Sequence, residues 1–133
     1  MKTKIFVFAG LLSVITVAFI SMNTFQVTTG PHGGRLQQVD DFYIEMKISS
    51  PEFYAYLLNK QYKPISNNGV SCEIRLFFPD STDLEVTLKP FKEDGFRMES
   101  SVSGYQSYRV MFKAFGKTIS AKFENENNMA QEK

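Results

Sequence analysis

The chain has 133 residues, 15 basic and 14 acidic side chains, and a single cysteine. So even a balance lacks the basic surplus that holds a nucleic-acid backbone, and one cysteine excludes an intrachain disulfide. At 43% hydrophobic and 22% charged, the composition is that of one globular domain, and its aromatics, all Phe and Tyr, lean that domain toward strands, where flat rings fit a pleated, half-buried surface.

Lys2 and Lys4 precede an uncharged run from Ile5 to Ile20. A basic start followed by an apolar stretch is the pattern of an export signal. The run is shorter than the roughly 20 residues a comfortable bilayer span takes. Residues 1–23 are therefore expected to be a signal peptide. The alternative is an inner-membrane anchor over residues 5–22, because Ala18-Phe19-Ile20-Ser21-Met22 offers no clean small-x-small cleavage pattern. Either way the protein is expected to be exported, to the periplasm or cell envelope, touching membrane only through an uncut N-terminal segment.

Residues 24–40 carry turn formers with little periodicity and read as a flexible leader. Alternation then begins. Phe42, Ile44, Met46 and Ile48 share one face, and Tyr43, Glu45 and Lys47 the other, which is a strand with one side buried. Phe53 to Leu58, beyond a Ser-Ser-Pro break, is apolar on both faces and reads as a central strand. Asn67-Asn68-Gly69 is a turn signal. Val70, Cys72, Ile74 and Leu76 alternate with polar residues, and Leu84, Val86 and Leu88 close a hairpin with them. Phe96 and Met98, then Tyr108, Val110, Phe112 and Ala114, then Ile119, Ala121 and Phe123, give three more strands. Residues 125–133 are polar, aperiodic and expected to be disordered. The expectation is an all-β domain over residues 41–124: an immunoglobulin-like antiparallel β-sandwich of about seven strands, with a small barrel as the alternative.

Catalytic chemistry finds little support. The one imidazole, His32, lies in a Gly-rich leader with nothing fixed around it, so no nucleophile–base set can be assembled. The carboxylate pairs Asp40-Asp41 and Glu93-Asp94 sit at turns and read as solvated loop. The glycines at positions 30, 33 and 34 belong to no phosphate-cradling unit. No enzyme is expected.

Metal binding has one candidate ligand. His32 is a natural donor for copper or zinc, and the backbone amides of Gly33 and Gly34 could complete a tetragonal Cu(II) site. Met46 and Met98 are in phase with the core and read as packing; Met111 is out of phase but alone. Cys72 shares the face of Ile74 and Leu76 and reads as a buried structural thiol. Tyr54 and Tyr56 share the other face of their strand. Exposed, they would form an aromatic patch for a partner protein; buried, they would belong to a second layer of the sandwich.

Pro31-His32-Gly33-Gly34, the strand Phe42-Tyr43-Ile44-Glu45-Met46, the segment Tyr56-Leu57-Leu58 followed by Lys63-Pro64-Ile65-Ser66, and the final Gly116-Lys117-Thr118-Ile119-Ser120-Ala121-Lys122-Phe123 resemble small exported bacterial proteins with a Pro-His-Gly-Gly leader and an immunoglobulin-like (YtkA-like) domain. That group is associated with heavy-metal efflux systems. The resemblance implies a non-enzymatic envelope binding module, handling copper or zinc through His32 alongside an efflux adaptor or another envelope protein. The other expectation is a protein–protein interaction or assembly module with no metal role.

Overall fold

The computed structural model describes residues 28–125. The expected signal segment, the start of the leader and residues 126–133 lie outside that range. Eight strands and no helix make up the described residues: β1 (Arg35–Val39), β2 (Phe42–Ser49), β3 (Glu52–Leu58), β4 (Ser71–Phe77), β5 (Asp83–Phe91), β6 (Gly95–Glu99), β7 (Ser107–Ala114) and β8 (Lys117–Glu124). Every pairing is antiparallel, in the order β1-β2-β3-β6-β5-β4-β7-β8. Taking β2 to β8 as strands A to G, this is A-B-E-D followed by C-F-G, the immunoglobulin-like order. The fold is all-β, as the alternation of the sequence predicts.

Two features go beyond that expectation. β1 is an eighth strand, lying where the sequence suggests a flexible leader; it pairs with β2 from Arg35↔Met46 to Val39↔Phe42. β5 belongs to both sheets: its first part pairs with β4 up to Cys72↔Leu88, and its last part pairs with β6 from Lys89↔Arg97. The sandwich is therefore one continuous sheet folded on itself. Its two outer strands approach each other, and Arg35 Nη1 donates to the Glu124 carbonyl at 2.7 Å.

The core follows from register. Across one sheet, Met46, Ala55 and Phe96 lie abreast. Across the other, Cys72, Phe112 and Ile119 form one row, Ile74, Val110 and Ala121 the next, and Leu76, Tyr108 and Phe123 a third. Large and small side chains alternate between rows, so the layers interdigitate, and all these residues are buried. Leu84 departs from its predicted place: it is 40% exposed. The first half of β5 is the margin of its sheet, beyond the reach of the facing layer, and only Leu88, where the strand turns inward, is fully covered. Asn125, assigned to the tail by its sequence, is instead docked, its backbone N–H donating to the Gln106 carbonyl and its side-chain amide to the Tyr105 carbonyl, each at 2.9 Å.

Cys72 is buried as expected, and that burial, followed by the charge of Glu73, pushes its thiol up from the ordinary range. The native protein should therefore resist alkylation by iodoacetamide at about pH 8 and react only when unfolded. Ile74→Ala should lower stability by about 2–5 kcal/mol in a urea titration, because it empties the centre of a packed row.

Candidate functional site

The two sides of β2 do different work. Ile44 and Met46 face the core, while Glu45 points outward, level with Leu36 on β1 and Tyr56 on β3. A carboxylate there would ordinarily meet solvent. Glu45 is instead fully buried, because the chain before β1 folds back over it. Thr29 bridges to Arg35, the Gly30 N–H donates to the Gly34 carbonyl at 2.9 Å, and the Gly33 N–H donates to the Gly30 carbonyl at 3.0 Å. The described part of the leader before β1 is a closed turn seated on the sheet.

The glycines make that seat possible. A Cβ on Gly30 would collide with the Glu45 carboxyl group, and one on Gly34 would lie 2.5 Å from the Met46 carbonyl oxygen. Gly33 has φ +83°, the left-handed region where glycine carries no penalty. Gly95 gives room on the facing side, since a Cβ there would come within 2.6 Å of the Tyr56 ring. The turn supplies the donors the buried carboxylate requires. Oε2 accepts the N–H of His32 at 2.9 Å and of Gly34 at 2.8 Å, while Oε1 lies 2.7 Å from His32 Nδ1.

His32 is thereby fixed. Its ring stacks on Tyr56 with centroids 3.6 Å apart and planes 6° from parallel, and its side chain is 24% exposed. The expectation of an imidazole with nothing fixed around it is overturned by this arrangement. Its far nitrogen, Nε2, lies 3.2 Å from Asp94 Oδ2, in the turn between β5 and β6. Both ring nitrogens thus face carboxylate oxygens. A ring carrying both protons donates to each; a ring protonated only at Nδ1 turns a lone pair toward Asp94, an arrangement that a bridging water, a proton on Asp94 or a metal cation would reconcile. The Tyr56 phenol is pushed up from its ordinary range by burial first, then by the charges of Asp94 and Glu45.

The two tyrosines are divided by this arrangement. Both lie on the outer face of β3, out of phase with Phe53, Ala55 and Leu57, so neither belongs to a second core layer. Tyr56 is only 6% exposed, covered by His32. Tyr54 is half-buried, rests against Phe91 with centroids 5.2 Å apart, and donates from its hydroxyl to Glu52. That bond, then Arg97, holds the Glu52 carboxyl below the usual carboxylate range. Between His32, Tyr54, Phe91, Lys47 and Lys92 runs an open groove of about 380 Å³.

Asp94 and Glu45 are the members of this site that sequence reading passes over, the first as a solvated turn, the second as the polar side of a strand. The amides of Gly33 and Gly34, suggested by the sequence as copper ligands, are both engaged in hydrogen bonds, to the Gly30 carbonyl and to Glu45. Among the described residues, no group of three or more His, Cys, Asp or Glu side chains converges as a metal cage. The chain matches no family model, no curated protein and no solved structure.

Replacing Glu45 by Gln puts an amide N–H₂ among donors. It should cost about 2–4 kcal/mol in denaturant titrations, and Gly34→Ala about 1–3 kcal/mol through overpacking. Lys47→Ala, exposed on the same strand, should stay within about 0.5 kcal/mol of the parent. An unchanged midpoint for Glu45→Gln would show that the carboxylate is not sealed as described.

Proposed function

We propose that the protein is a non-enzymatic binding module of the cell envelope, and that a divalent metal ion, zinc ahead of copper, is its ligand at His32 and Asp94. One observation carries this reading: Nδ1 of His32 is tied to a buried carboxylate, while Nε2 stands 3.2 Å from Asp94 Oδ2. A metal-bound histidine commonly donates its other ring N–H to a carboxylate, which fixes tautomer and orientation. Two ligands at zinc distances in a tetrahedral shell stand about 3.3 Å apart, which is the spacing of this pair. Water would complete the shell. Copper through backbone amides is less favoured, because the amides of Gly33 and Gly34 already have partners. The export reading and the resemblance support an efflux adaptor or another envelope protein as the companion.

A second reading, a protein-interaction module without metal, draws on the groove beside the site. There Tyr54 and Phe91 form an aromatic wall, and Lys47 makes no ion pair among the described residues.

Calorimetric titration with zinc should give one site in the parent chain, weakened at least tenfold by Asp94→Asn and lost in His32→Ala, with the His32 ring signals shifting in NMR spectra. Ring signals that do not move at stoichiometric zinc would remove the metal. Envelope partners captured by the parent chain and lost with Tyr54→Ala would then favour the second reading.

A further inference from the structure

The β7–β8 hairpin carries features that the His32 site does not use. Its two-residue turn, Phe115-Gly116, links the paired residues Ala114 and Lys117 and has φ values of 53° and 71°. Two successive left-handed residues make the turn that Asn-Gly or Gly-Gly satisfies best, and a bulky side chain in the first position is strained. Phe115 nevertheless stands there, 64% exposed. Its one ring contact among the described residues is Phe42, with centroids 5.8 Å apart.

The rest of the hairpin is cationic. Arg109, Lys113, Lys117 and Lys122 are opposed within it only by Glu124, at its last residue. Arg109 lies directly opposite Lys122 on one side and Arg75 on the other, and like charges in register weaken strand pairing. Arg75 is answered by Glu85, the carboxylate that also feels Lys113. Among the described residues, none of the four hairpin cations forms an ion pair; Lys117 and Lys122 rest over the rings of Phe42 and Phe77.

We propose that this hairpin docks on an anionic lipid surface. Phe115 enters the boundary between headgroups and acyl chains, where an apolar ring buries its surface, and Lys113 and Lys117 beside it meet lipid phosphates. An acidic protein would account for the cations, but not for an exposed ring held at a strained tip. An interface that takes a wedge between charges accounts for both. This inference is independent of the metal site.

The chain contains no tryptophan, so Phe115→Trp is a sole reporter. The full chain carrying it is reconstituted into vesicles containing brominated phosphatidylglycerol, or brominated phosphatidylcholine alone; the N-terminal segment is common to both. Emission should shift to the blue and be quenched in the anionic vesicles only, and recover at about 0.5 M salt. Removing Lys113 or Lys117 as alanine should lower the docked-to-undocked ratio about fivefold each. A Leu84→Trp reporter, at the opposite end of the sheet, should show no quenching in either vesicle. Equal quenching in both vesicle types, or quenching indifferent to the lysines, overturns the proposal. Phe115→Asn supplies a turn residue suited to the backbone and should keep or raise the thermal midpoint; a marked fall would mean the ring is there to cover Phe42, and would overturn it as well.

Discussion

A carboxylate placed on a sheet and then sealed from water must be supplied with donors, and the N-terminal part of this domain is built around that requirement. Glu45 has no solvent and, among the described residues, no lysine or arginine in an ion pair with it. Its acceptors are met by two backbone amides and an imidazole, all delivered by a turn of five residues. Each glycine at the contact is there because a methyl group would strike the carboxyl group, the backbone of β2 or the tyrosine ring. β1 then carries the turn onto the sheet by pairing with β2. The imidazole is the product of this arrangement: held flat on Tyr56, with one nitrogen directed inward and the other toward a second carboxylate.

The domain thus has two packed regions of different chemistry. Between the sheets, aliphatic and aromatic rows exclude water and supply the main driving force for folding. Outside them, under the N-terminal turn, a small polar region is held by directed hydrogen bonds. The first tolerates changes of shape that conserve volume; the second depends on every donor being in place.

Parity made most of the fold legible. Six strands alternate cleanly and β3 is apolar from Phe53 to Leu58; in the six the residues in phase are those that meet in the core, with Leu84 the exception because the margin of a sheet has nothing opposite it. β1 was not legible: Arg35-Leu36-Gln37-Gln38-Val39 has only two apolar residues, and its pairing depends on the turn before it. His32 stood out as the lone imidazole, but its surroundings did not. The glycines around it look like slack in a sequence, whereas here they are space for a carboxyl group and for close backbone approach. Glu45 looks like any outward residue of an amphipathic strand. Asp94 is 62 positions from His32, a distance that only the folding of β3 against β6 closes. The one available signal was the coincidence of a Pro-His-Gly-Gly run with an acid in the next long strand.

β5 gives the domain a further property. In a sandwich of two separate sheets, the layers are joined only by loops and by side chains, and can in principle slip past one another. Here a single strand carries main-chain bonds from one layer straight into the other. Shear between the layers would have to tear that strand from β4 or from β6, so the molecule has no natural plane of cleavage, and the turn holding Asp94 is braced by the same strand that stitches the two halves together.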